Sequence, residues 1–219
     1  RVLFRSEIYN YLHLKNELIN KGYHFKGNSD TEVILAGFQC WGKNIFSELN
    51  GIFALAIWDR TDKKLYLARD RFGVKPLYIY QNKNKIVFAS EIKAILVHSD
   101  VERKLNKQSF HEFIYYGNAI GGKTLFERIK KVKPGQCVTI SENDYQEDFF
   151  WKITDIQENY QIDQTTAIHH IDTLLDNAVK RQLISDVPVG VFLSGGIDSS
   201  AITAFASKYY AGKLSTFTA

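Results

Sequence analysis

Val187-Pro188-Val189-Gly190-Val191-Phe192-Leu193-Ser194-Gly195-Gly196-Ile197-Asp198-Ser199-Ser200 runs a short apolar strand into a Ser-Gly-Gly loop, and the loop opens a helix that begins with an aspartate and two serines. The N–H groups at a helix start have no intrahelical partner, so such a loop seats an anion with several phosphate oxygens. Gly195 and Gly196 let the backbone approach a ligand closely. Ser194, Ser199 and Ser200 add hydroxyl donors, and Asp198 sits where its charge suits the helix dipole. A carboxylate beside bound phosphates repels them unless a cation lies between, so Asp198 implies Mg²⁺ held jointly with the ligand. No lysine follows the glycines, which separates the loop from the P-loop of NTPases. The competing reading is a glycine-rich strand-to-helix turn with a serine N-cap. The density of donors, at the place where open α/β sheets bind ligands, favours the anion site.

On the C-terminal side, Leu214–Thr218 reads as the second strand of a β-α-β unit whose first strand is Val189–Leu193. Two parallel strands and one helix cannot cover both faces of strands this apolar, and parallel sheets are normally buried on both sides. The unit is therefore expected to continue through at least two or three further strands, with the tail a truncation. On the N-terminal side, Thr165–Ile184 predicts a helix with a stripe of Ile168, Ile171, Leu175, Val179 and Leu183. Residues 153–164 are polar and aperiodic and read as a linker between a domain at 1–152 and a second at 165–219.

The first domain reads as helices and antiparallel strands. Tyr9–Lys21 predicts a helix with Tyr11, Leu14, Leu18 and Ile19 inward and Gly22 as its stop. Ser29 and Glu32 form a capping-box pattern, opening a helix to Trp41 with Val33, Ile34, Phe38 and Trp41 inward. Gly51–Trp58 is apolar on both faces, as a central strand is. Lys64–Ala68, Leu77–Tyr80 and Ile86–Ala89 follow as strands. The polar turns at Arg60–Lys63 and Gln81–Lys85 are too short to cross a sheet face, so these strands pair antiparallel. Helices near Glu91–Leu96 and Lys107–Tyr116 come next, and Pro134-Gly135 then turns the chain into a hairpin of Gln136–Ile140 and Tyr145–Trp151. The fold class is an antiparallel α+β domain followed by the opening of a parallel α/β domain.

Composition narrows the rest. The 219 residues are 45% hydrophobic and carry a net charge of +4 from scattered basic residues, which gives nucleic-acid binding little support. Lys130, Lys131 and Lys133 are the densest basic cluster and read as a solvated turn. Cys40 and Cys137 give neither a disulfide framework nor metal spacing. No apolar run approaches the ~20 residues of a membrane span, and no signal-peptide pattern is visible. The expectation is a cytoplasmic protein with small-molecule partners, no nucleic acid and no membrane.

Three segments of the first domain carry possible chemistry: Glu7-Ile8-Tyr9-Asn10, Ser29-Asp30-Thr31-Glu32-Val33, and Arg69-Asp70-Arg71-Phe72-Gly73-Val74-Lys75-Pro76-Leu77-Tyr78. Alone, Asp30 at a helix start is as well explained by capping, and the charge run Arg69–Lys75 reads as an ion-paired loop. Together and in this order, with Ser194–Ser200 behind them, they resemble glutamine-hydrolysing asparagine synthetases. That likeness joins the N-terminal-nucleophile-type glutaminase domain of class II glutamine amidotransferases to the start of an ATP-pyrophosphatase domain. It covers Glu7 to Ala219.

The resemblance implies a ligase that hydrolyses glutamine and passes ammonia to an aspartate adenylated by ATP, releasing AMP and pyrophosphate. Its substrates would be glutamine, aspartate and ATP with Mg²⁺, and its assembly a possible homodimer. Glu7 matches a glutamine contact and Asp30 the holder of the glutamine α-amino group. Leu193 matches a backbone contact to the adenine nucleotide. Ser194, Gly195, Gly196, Asp198, Ser199 and Ser200 match the pyrophosphate site, with Asp198 toward the metal. The Arg69–Tyr78 segment is implied to be structural. Two rivals stay open: an amidotransferase of the same architecture with another acceptor, of cell-surface-sugar or β-lactam type, and a non-catalytic glutamine- or nucleotide-binding module.

The chain departs from the family at its start. Relatives begin with a cysteine whose thiolate attacks glutamine while the free α-amine acts as base; this chain begins Arg1-Val2. The family's Asn-Gly before the glutamate is replaced by Arg5-Ser6. Loss of even one oxyanion donor costs ~10²–10³ in rate, so the chain as it stands is expected to be inactive. Arg1–Ser6 reads like a translated sequencing-adapter fragment, and residues 1–6 are expected to be foreign to the gene.

Overall fold

The computed structural model describes residues 2–82, 85–158, 160–185 and 187–218, with residues 2–5 as backbone only. Asp186, which heads the strand before the serine loop, lies outside the described residues. So do Arg1, Lys83 and Asn84 of one expected turn, Asn159 of the expected linker, and Ala219. The chain divides into two compact units, residues 1–156 and 157–219.

The first unit is organised by its most apolar stretch. Strand β2 (Gly51–Asp59) is buried on both faces through Phe53–Ile57. It sits second in an antiparallel five-stranded sheet of order β1-β2-β3-β7-β8, with β1 Val2–Ile8, β3 Lys64–Arg69, β7 Gln136–Ile140 and β8 Tyr145–Phe149. Phe53, Leu55 and Ile57 face helices α1 (Tyr11–Asn20), α2 (Asp30–Trp41) and α3 (Ile45–Glu48), whose Leu14, Leu18, Val33, Ile34, Ile45 and Phe46 complete that core. Ala54 and Ala56 face the other way, onto Leu77 and Ile79. Ile79 belongs to a three-stranded antiparallel sheet of order β5-β4-β6, with Leu77 just ahead of it: β5 Ile86–Ala89, β4 Tyr78–Gln81 and β6 Ile129–Lys131. Its far face packs Tyr80 and Ile129 on Ile95 of α4 (Ile92–Leu96). Helices, sheet, sheet and helix thus stack as four layers. Helix α5 (Lys107–Tyr116) is capped by Asn106 and stopped by left-handed Gly117.

The second unit holds α6 (Gln164–Gln182), β9 (Gly190–Phe192), α7 (Ile197–Tyr209) and β10 (Ser215–Phe217). β9 and β10 pair in parallel, Gly190 opposite Ser215 and Phe192 opposite Phe217. The β-α-β reading is therefore correct. Among the described residues, no helix is long and apolar enough to cross a membrane.

Several expectations need correction. Ile19 is 48% exposed rather than inward, because the core ends at Leu14 and Leu18. The α6 stripe is mostly open: Ile168 and Ile171 are 59% and 57% exposed, and only Val179 is buried. Ser29 caps α2 through Thr31 N–H, but Glu32 does not return to Ser29. Its carboxylate instead accepts from Lys26 N–H (2.8 Å) and Gly27 N–H (3.0 Å), because the preceding loop folds over the helix start. Lys130 and Lys131 lie on strand β6, not in a turn; the buried Ile129 and Val132 around them fix it. A strand before Tyr9 was not expected. β1 pairs with β2 from Val2↔Ile57 to Ile8↔Gly51, a backbone ladder that tolerates many side chains.

Candidate functional site

The serine loop of the second unit is built locally. β9 ends at Phe192, Gly195 takes a left-handed φ of +80°, and α7 begins with Gly196 as its N-cap. The cap is thus glycine, without a side-chain bond, rather than serine. This leaves the N–H groups of the first turn (Ile197, Asp198, Ser199) without intrahelical acceptors. Ser199 Oγ receives Ser194 N–H (3.3 Å), donates to Gly196 C=O (3.1 Å) and lies 3.1 Å from Ser194 Oγ. Two of the three expected hydroxyls therefore meet at one point and hold the loop closed on itself. Ser200 N–H returns to Gly196 C=O (3.0 Å), and its side chain makes none of these loop contacts. Leu193 is anchored on both sides: its N–H donates to Phe217 C=O (2.8 Å) and its C=O accepts from Thr218 Oγ1 (2.7 Å). Asp198 stands exposed in the first helical turn.

In the first unit, Asp30 opens α2 and its Oδ2 accepts from Ser6 Oγ (3.1 Å) on β1. The strand that carries Glu7 is thereby tied to Asp30. Side chains alternate along a strand. Ser6 and the buried Ile8 face the helices, while the exposed Glu7 faces away. Glu7 and Asp30 therefore leave opposite faces of β1, and no described contact joins them. Tyr9, on the Glu7 side, has its phenol pushed upward by burial and by the charges of Glu7 and Asp70.

Residues that sequence reasoning missed support both carboxylates. Asn10 clamps the end of β1, with Nδ2 donating to Glu48 C=O (2.9 Å) and Oδ1 accepting Asn50 N–H (2.9 Å). Lys15 Nζ binds Gly27 C=O and Asn28 Oδ1 (2.7 Å each), fixing the loop ahead of Asp30. Asn10 lies inside the quoted Glu-Ile-Tyr-Asn segment and could have been suspected; the reach of Lys15 across the loop had no signal. Gly51 is required for close approach, since a Cβ there would lie 2.2 Å from Glu7 C=O.

The Arg69–Tyr78 segment is a structural knot, as the resemblance implied, but not an ion-paired one. Asp70 is 1% exposed and its carboxylate accepts four backbone N–H groups: Phe53 (3.2 Å), Phe72 (3.1 Å), Val74 (3.0 Å) and Lys75 (3.0 Å). Arg69, buried and so lowered in pKa against the opposing pull of Asp70, donates to the carbonyls of Lys75, Val132 and Gly73.

Both cysteines are free thiols. Burial pushes Cys137 up to about 12, and Lys43 nearby only partly offsets it. Cys40 sits at the far end of α2 from Asp30, about 15 Å away along the axis at ~1.5 Å per residue. Neither is placed to attack a substrate held at Asp30. Aromatic disulfide titration of the native chain is expected to modify Cys40 and spare Cys137 until denaturant is added; two fast thiols would contradict this placement.

Residues 1–151 match the family model for a glutamine amidotransferase domain, and residues 170–219 match that for asparagine synthase. Asparagine synthetase [glutamine-hydrolyzing] 3 of Bacillus subtilis (strain 168) is 38% identical over 95% of this chain and 34% of its own length. Putative asparagine synthetase [glutamine-hydrolyzing] 2 of Methanocaldococcus jannaschii is 32% identical over 99% of this chain and 42% of its own. Amidase chry2 of Gibberella zeae is 34% identical over 92% of this chain and 30% of its own. This chain spans about a third of the curated relatives it matches.

Proposed function

The chain belongs to the glutamine amidotransferase domain family, matched over residues 1–151, and we propose that the protein it comes from is a glutamine-hydrolysing asparagine synthetase. The observation that carries this reading is the Leu193–Ser200 loop, a parallel strand turning through left-handed Gly195 into an open helix start. It follows an amidotransferase domain in a segment matched by the asparagine synthase model, and two relatives bear that name.

In this reading Asp30 holds the α-amino group of glutamine; Glu7, on the opposite face of β1, is assigned its glutamine contact by the likeness to relatives alone. Ammonia released there reaches aspartate activated by ATP. Ser194, Gly195, Gly196, Ser199 and Ser200 hold the pyrophosphate, and Leu193 meets the nucleotide through its backbone. The loop acts electrostatically: its N–H groups and hydroxyls stabilise charge that builds on departing pyrophosphate. Ser194 and Ser199, bonded to each other without ligand, exchange that bond for phosphate oxygens. The donor set fits Mg²⁺. Among the described residues no group of three or more His, Cys, Asp or Glu could hold a metal, so the ion would be shared between Asp198 and phosphate oxygens, its usual mode. Bound there, it would neutralise phosphate charge. Neither Cys40 nor Cys137 is placed as the nucleophile for glutamine held at Asp30.

The test is product analysis of the complete protein from the recovered gene, given glutamine, aspartate and ATP with magnesium. Asparagine, AMP and pyrophosphate in equal amounts are expected. AMP formation only with another acceptor would transfer the reading to a different amidotransferase, an outcome the amidase relative keeps in view. ADP as product would end it. In the same assay Asp30→Asn is expected to raise the glutamine KM about tenfold, the loss of one charge-assisted bond, while activity with free ammonia stays unchanged.

A further inference from the structure

We propose that the recess beside β6 in the first unit, lined by none of the residues assigned to glutamine or to the serine loop, binds a phosphate-bearing small molecule. The recess has a volume of about 370 Å³ and is lined by Ile79, Gln81, Asn82, Arg128, Lys130 and Tyr145, a size that suits a small metabolite. A second hollow of about 140 Å³ shares Ile79, Lys130 and Tyr145 with it and adds Lys123, Lys131 and Lys133. Cations outnumber carboxylates in the linings of the two hollows, where Glu147 is the one acidic residue. Among the described residues Arg128, Lys130 and Lys133 have no acidic partner. Lys123, which stands opposite Lys130 in an antiparallel bridge, is already paired with Glu112. Glu147, in the smaller hollow, is already taken up by Gln136 Nε2 (2.8 Å) and the Tyr145 hydroxyl.

Arg128 stands in the turn that leads into β6, and its carbonyl accepts from Gln81 N–H (3.2 Å). Its φ is +62°, a left-handed backbone set by that turn, which glycine takes freely. Its side chain brings a planar guanidinium fork to the lining of the recess, the group best matched to phosphate oxygens. Lys130 adds a point charge. The amides of Gln81 and Asn82 and the ring of Tyr145 offer polar and flat surface to the organic part of the ligand.

The experiment is lysine footprinting of the 219-residue chain by amine acylation and mass spectrometry, with inorganic phosphate, pyrophosphate or AMP as probe. It reads position as well as binding, which matters because the serine loop is proposed to hold pyrophosphate too. Lys130 is expected to be protected while the remote, exposed Lys21 is not. Equal protection by all probes assigns the site to the phosphate group alone; stronger protection by AMP assigns it to a nucleoside phosphate. Arg128→Gly suits its left-handed backbone, so the melting temperature should hold or rise, while the probe concentration for half-protection rises at least about tenfold. Lys130→Gln, read by calorimetry, is expected to weaken binding similarly and to reduce its salt dependence. Unchanged Lys130 labelling with every probe, or protection that survives Arg128→Gly undiminished, overturns the proposal.

Discussion

Asp70→Ala is expected to unfold most of the first unit at room temperature. The carboxylate is 1% exposed and is the shared acceptor for four N–H groups, one from β2 and three from the loop after β3. Alanine leaves all four in a space with no replacement acceptor. A buried donor without a partner costs about 1–3 kcal/mol, so even two fully orphaned groups consume much of the ~5–15 kcal/mol by which domains are stable. The buried Arg69 guanidinium next door also loses the adjacent negative charge that opposes its desolvation. We expect a loss of at least about 4 kcal/mol in urea unfolding followed by tryptophan fluorescence. Asp70→Asn keeps one oxygen and should retain a cooperative transition at about 2 kcal/mol lower stability. An alanine variant within ~0.5 kcal/mol of the parent chain would show that water or loop rearrangement takes over the acceptor role.

The Arg69–Lys75 knot also shows where sequence reasoning stops. A run of alternating charges suggests ion pairs, since pairing is what adjacent opposite charges do in isolation. Here both charges turn to backbone instead, because the loop from Phe72 to Lys75 presents its N–H groups on one side and its carbonyls on the other. Most of these bonds span only two to six residues, but the bonds that anchor the loop to Phe53 and Val132 span 17 and 63 residues, which the charge pattern does not show. β2 was legible because seven consecutive apolar side chains, Ile52 to Trp58, have few other solutions. β6 was not, because three residues are too few to show a period and two of them are lysines. Periodicity identified the apolar stripe of α6 but not what covers it, so Ile168 and Ile171 proved exposed. The course of the serine loop from strand through glycine to helix was readable, since all three are local, but the glycine N-cap and the absence of Ser200 from the Ser194–Ser199 contacts were not. The Ser6–Asp30 bond spans 24 residues and joins a strand that was not foreseen to a helix that was.

Gly135→Ala is expected to cost about 3 kcal/mol or more, and for a reason that separates it from other glycines in this chain. Gly135 has a φ of +66°, and a Cβ placed on it would lie 2.2 Å from the carbonyl oxygen of Trp151. A left-handed alanine alone costs about 1–2 kcal/mol. The rest comes from a collision with backbone, which no side-chain rotation relieves; the chain beyond β8 must move. Gly135 N–H donates to Asp70 C=O (2.9 Å) and its own carbonyl accepts from Phe150 (2.9 Å) and Trp151 (3.3 Å), so the displacement strains both ends at once. Trp151 would also leave Phe72, whose ring centroid is 5.4 Å away, and the fluorescence spectrum should report it. Gly22→Ala is the internal control: its φ is +90° but nothing lies within 4 Å of the added methyl, so only the backbone term of about 1–2 kcal/mol applies. Combining Gly135→Ala with Asp70→Asn should cost less than the sum of the two, because both loosen the same loop-to-turn contact. If Gly135→Ala proves no more damaging than Gly22→Ala, the close passage of the Trp151 carbonyl does not restrict this position. Strict additivity with Asp70→Asn would in turn mean that the loop and the turn hold independently.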